Sequence, residues 1–109
     1  MVYETLQAAL LRKGFLVRLA TTTQEALDLI GAEAFDIIIS DYFMPGGGGG
    51  DDVLQAALSL PQRPKIIMST GGGNEELIAR LLGSGADRCL AKPFGIRDLL
   101  DTVAEVLAE

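Results

Sequence analysis

Three apolar runs, "DIIIS" (36–40), "KIIMST" (65–70) and "DRCLA" (87–91), are separated by stretches with helical spacing, and this alternation constrains the fold most. A continuous apolar run suits a strand covered on both faces. "LVRLA" (16–20) alternates apolar and polar residues and is read as one more short strand. "YETLQAALLRKGF" spaces Leu6, Ala9, Leu10 and Lys13 like an amphipathic helix, with Gly14 as its stop. Thr22 and Glu25 form a capping-box pattern ahead of a buried face of Ala26, Leu27, Leu29 and Ile30. Asp51 and Asp52 open "DDVLQAALSL" where the helix dipole favours acids, and Pro61 and Pro64 bracket its end. Asn74 caps "EELIARLLGSG", and "IRDLLDTVAEVLAE" closes the chain as an amphipathic helix. The order α-β-α-β-α-β-α-β-α predicts one α/β domain over 1–109, a doubly wound parallel sheet with helices on both faces and right-handed crossovers.

Composition then removes whole classes of function. The chain has no His and no Trp, which excludes Ser-His-Asp hydrolysis, HExxH metalloprotease chemistry and His-based zinc sites. The net charge of −6 argues against direct nucleic-acid binding, which needs clustered Lys and Arg. Cys89 is the single cysteine, so no internal disulfide forms, and it is read as a small core residue. No run approaches a membrane span and no N-terminal signal is evident, so the expected location is cytoplasmic and away from membranes.

In an open parallel sheet, side chains at strand C-termini converge on one crevice. Three such ends are polar: Asp41 after "IIIS", Thr70 after "IIMS" and Lys92 after "CLA". A carboxylate can attack a phosphoryl group, an ammonium can neutralise its oxygens, and a hydroxyl can donate to one. Glycines 46–50 and 71–73 leave backbone N–H groups unshielded beside the crevice, although "GGGGG" without GK[ST] is not a P-loop. Ser69 and Thr70 could alternatively cap the glycine loop.

"DIIISDYFMPG…DD", "KIIMSTGGG" and "DRCLAKPF" resemble the motifs of response-regulator receiver domains of two-component signalling, and the resemblance spans the chain. It implies a flavodoxin-like fold and a phosphorelay signal-transduction receiver rather than an enzyme, with self-catalysed phosphotransfer at most. It implies Asp41 as phosphoacceptor, Thr70 as the hydroxyl that moves onto the phosphate, and Lys92 as its ammonium partner. Asp41 and the backbone carbonyl of Phe43 would be ligands to Mg2+, and the Lys92–Pro93 peptide would be cis. The implied partner is a histidine kinase or phosphotransfer protein.

Two departures from the family qualify those expectations. The family's first central strand, which ends in a magnesium-binding acidic pair, has no counterpart, because the sequence starts at the following helix. Asp41 then binds magnesium weakly, while Asp51 and Asp52 serve as helix N-terminal charge. The packing lost with such a strand is comparable to the whole stability of a domain. Either this sequence is an incomplete copy of the domain, or direct pairing of "LVRLA" with "DIIIS", strand exchange in a homodimer, or a partner strand fills the gap. The second departure is Cys89, which stands where the family often has an aromatic switch residue. The alternative function is a degenerate, non-phosphorylated receiver acting as a protein-interaction or dimerisation module.

Overall fold

The computed structural model describes residues 3–43, 49–71 and 75–109. Met44, Pro45, glycines 46–48, 72 and 73, and the expected cap Asn74 lie outside the described residues. The elements run α1 (Tyr3–Arg12), α2 (Thr23–Ala32), β1 (Ile37–Asp41), α3 (Gly50–Leu58), β2 (Lys65–Gly71), α4 (Glu75–Ser84), β3 (Arg88–Lys92) and α5 (Ile96–Leu107). No described helix is long and apolar enough to cross a membrane.

The strands form a parallel sheet of order β1-β2-β3. β2 is central, and its five residues 66–70 are all buried. Successive side chains of a strand point to opposite faces. Ile66 and Met68 accordingly pack with Leu54 and Ala57 of α3 and Leu81 of α4. Ile67 packs on the other face with Leu6 of α1 and with Leu99, Val103 and Val106 of α5. The result is helices on both faces of a three-stranded parallel sheet, a flavodoxin-like layer order.

Local signals set the helix ends. α1 stops two residues before Gly14, whose φ of +92° is a left-handed conformation that glycine adopts without penalty. The Glu25 N–H donates to Thr22 Oγ1 at 3.1 Å, the first half of the expected capping box. The second half is shifted by one residue: the Glu25 carboxylate accepts from the backbone N–H and the hydroxyl of Thr21, both at 3.1 Å. At the start of α5 the Asp98 carboxylate accepts from the Gly95 N–H at 3.2 Å.

The strand expected at 16–20 is not formed. These residues belong to no ladder, and Leu16 is 94% exposed. The reason is non-local: a strand needs a neighbour to satisfy its N–H and C=O groups, and β1 pairs only with β2 among the described strands. "LVRLA" therefore does not pair with "DIIIS". Two cavities separate them, of about 170 and 150 Å3, one on each face, and both are lined by Arg18, Leu19, Ile37, Ile39 and Asp41. Ile37, Ile38 and Ile39 are only half-buried, although their unbroken apolar run suits a strand covered on both sides.

Candidate functional site

β1 and β3 are both parallel to β2, so their C-terminal residues emerge at the same end of the sheet. The register pairs Asp41 with Ser69, Ser69 with Leu90, and Gly71 with Lys92. Laterally paired residues share a face, and so do residues two apart along one strand. This places Asp41, Ser69 and Lys92 on one face. All three line the larger cavity, together with Phe94, Leu99 and Val103. Lys92 Nζ lies 3.0 Å from Asp41 Oδ1. The Lys92–Pro93 peptide is cis.

Thr70 stands one residue further along β2, opposite Ala91. Its pleat position belongs with Ile66 and Met68, on the face opposite Ser69. It is 1% exposed, and its hydroxyl has no hydrogen-bond partner among the described residues. Ser69 is 3% exposed, and its hydroxyl likewise has none among the described residues. Buried hydroxyls are normally satisfied, so two orphans at one strand end are unusual.

A second polar cluster adjoins the acid. Tyr42 follows Asp41, and its hydroxyl donates to Asp51 Oδ2 at 2.8 Å and accepts from Arg80 Nη2 at 2.7 Å. Arg80 Nη1 also lies 3.2 Å from Asp51 Oδ1, and the guanidinium sits 5.6 Å from the Tyr42 ring centroid. The Tyr42 hydrogen bond, aided by Arg80, holds the Asp51 carboxyl below the usual carboxylate range against the opposing effect of burial. The pairing with Asp51 holds the Arg80 guanidinium above its ordinary value. The sequence assigned Asp51 only as helix charge, which it also is, in the first turn of α3. Phe43 is 69% exposed, meets the Tyr42 ring edge-on at 4.8 Å, and pairs through its backbone with Gly49 in an isolated antiparallel bridge. Cys89 is half-buried against the core between α3 and α4, and burial pushes its thiol pKa up.

Residues 1–104 match the response regulator receiver domain family. The chain belongs to that family. The receiver is 32% identical over 106 residues to the response regulator MprA of Mycolicibacterium vanbaalenii, an alignment covering 97% of this chain and 46% of that protein. It is 32% identical over 96 residues to the transcriptional activator protein PfeR of Pseudomonas aeruginosa, covering 88% and 31%. The chain thus spans less than half the length of these relatives. Among solved structures, a CheY-like receiver domain protein of Methanospirillum hungatei aligns with TM-score 0.86 at 32% identity, covering 97% of this chain and 84% of that one. A response regulator of Burkholderia pseudomallei, solved with a phosphorylated aspartic acid, a calcium ion and citrate, aligns with TM-score 0.79 at 31% identity, covering 97% and 64%.

The expected magnesium site does not fit the described residues. Magnesium asks for near-octahedral oxygen ligands and usually more than one carboxylate or phosphate. Among the described residues no three His, Cys, Asp or Glu side chains gather to hold a metal ion. Asp41 is the one acid lining the cavity, and its carboxylate meets the Lys92 ammonium.

Proposed function

We propose that this receiver accepts a phosphoryl group on Asp41 from a histidine kinase or phosphotransfer protein, with Lys92 and Thr70 as its partners at the site. The observation that carries the reading is the 3.0 Å Asp41–Lys92 pair at the C-terminal end of a parallel sheet. An Asp41 oxygen attacks phosphorus in line with the bond to the donor's imidazole nitrogen. The P–O bond forms as the P–N bond breaks. The electron pair of that bond stays on the nitrogen, which takes up a proton from water. The Lys92 ammonium then neutralises charge on the phosphoryl oxygens, where positioning and charge compensation do most of the work of phosphoryl transfer. The new dianion draws the Thr70 hydroxyl toward it, and that movement biases the surface formed by α4, β3 and α5.

The test is incubation with acetyl phosphate, with and without magnesium, followed by intact mass measurement. A gain of one phosphoryl group that disappears in Asp41→Asn supports the reading. No gain in the parent chain overturns it.

A second reading is a non-phosphorylated interaction or dimerisation module. It is favoured by the absence of a metal-ligand group among the described residues and by the cavities flanking β1. Unphosphorylated protein that sediments as a stable dimer supports this alternative.

A further inference from the structure

Two buried hydroxyls that have no hydrogen-bond partner among the described residues lie side by side in β2, but the pleat sends them to opposite faces. Ser69 faces the Asp41 side and lines the cavity that holds Asp41 and Lys92, whereas Thr70 does not line it. Ser69 is also the register partner of Asp41 on the neighbouring strand. Enclosing a hydroxyl without a hydrogen-bond acceptor is unfavourable unless another state supplies one. A phosphoryl group on Asp41 would bring several acceptor oxygens into this cavity, on the side of the sheet that Ser69 faces.

We propose that Ser69 is a phosphoryl-binding residue of this receiver: its hydroxyl donates to an oxygen of the phosphoryl group carried by Asp41, while Lys92 neutralises the others. This rests on the reading of Asp41 as the acceptor. Ser69 acts from the strand position where the acceptor's carboxylate already points, so it needs no change of face. Thr70 must reorient before it can contribute.

The experiment compares the full chain with Ser69→Ala, Ser69→Thr and Thr70→Ala, measuring the initial rate of phosphorylation by acetyl phosphate and the melting temperature. Loss of one hydrogen bond to a charged group slows Ser69→Ala about tenfold. Ser69→Thr keeps the hydroxyl and stays within about threefold of the parent. The melting temperature of Ser69→Ala does not fall, because the substitution removes an unsatisfied buried group. A parent that is phosphorylated alongside an equally fast Ser69→Ala overturns the role of Ser69 and leaves Asp41 standing. A slow Ser69→Ala that melts lower, or that Ser69→Thr does not rescue, also overturns it. A parent that takes no phosphoryl group overturns both readings.

Discussion

Lys92 Nζ lies 3.0 Å from Asp41 Oδ1, and the acid keeps only 11% of its side-chain surface exposed while the lysine keeps 39%. The lysine end lies partly in water, and the attraction is offset by the cost of burying the acid, so the pair's net worth to stability is small, about 1 kcal/mol. In the proposed phosphotransfer its worth is expected to be larger, because a second negative group would enter beside the first. Lys92→Ala is expected to slow phosphorylation at least tenfold, roughly the effect of one charge-assisted contact. Lys92→Arg restores charge but not the compact ammonium, and so recovers only part of the rate. Phosphoprotein accumulation against time checks both, and thermal melting checks that neither variant is unfolded.

Tyr42, the residue after Asp41, is tied to α3 and α4 through Asp51 and Arg80. Asp51 titrates below its ordinary value of 3.8 chiefly because of the Tyr42 hydrogen bond. A carboxyl depressed by folding stabilises the fold above its unfolded value, and that contribution is lost as pH falls through the folded one. Tyr42→Phe is therefore expected to lower the melting temperature at neutral pH, by an amount equivalent to about 1 kcal/mol or less for so exposed a cluster. The gap between parent and variant narrows as pH drops below 3.8. Melting curves across acid pH check the sign, and a gap that widens in acid would contradict it.

Gly50 opens α3 against the end of β1. A Cβ there would lie 2.5 Å from Met68 Cε, 2.7 Å from Tyr42 Cα and 3.0 Å from the Tyr42 carbonyl. The methionine tip can move, but the backbone of Tyr42 cannot move without disturbing the strand that carries Asp41. Gly50→Ala is expected to destabilise by about 1–3 kcal/mol. Gly31, within α2, has nothing within 4 Å of such a Cβ. Gly31→Ala is expected to stabilise by about 0.5–1 kcal/mol. Chemical denaturation of the two variants checks the opposite signs.

Much of this site is legible in the sequence, for a topological reason. Strands of one parallel sheet end on the same side, so Asp41 and Lys92 could be brought together without knowing any distance. Ser69 could not be singled out, because assigning it to the face of Asp41 requires the register of β1 against β2. Tyr42, Asp51 and Arg80 come from the loop after β1, from α3 and from α4, and nothing in their spacing marks them as neighbours. The failed strand at 16–20 teaches the complementary lesson. Its alternation is genuine, but strand formation depends on a hydrogen-bonding neighbour, and local pattern carries no information about whether one exists.

Cys89 packs against the core, and its thiol is held protonated by burial. The thiolate is the reactive form, so native protein is expected to react with iodoacetamide at neutral pH at least tenfold more slowly than the denatured chain. Mass-monitored alkylation checks this, and equal rates in the two states would contradict the packing.

The central claim is that Asp41 carries the phosphoryl group, and its position in the chain can be read chemically. Borohydride reduces an acyl phosphate to the alcohol, converting a phosphorylated aspartate into homoserine. After treatment with acetyl phosphate and then borohydride, tandem mass spectrometry of peptides is predicted to find homoserine at position 41 and unmodified Asp51 and Asp52. Homoserine at 51 or 52, or at no position, would contradict the account.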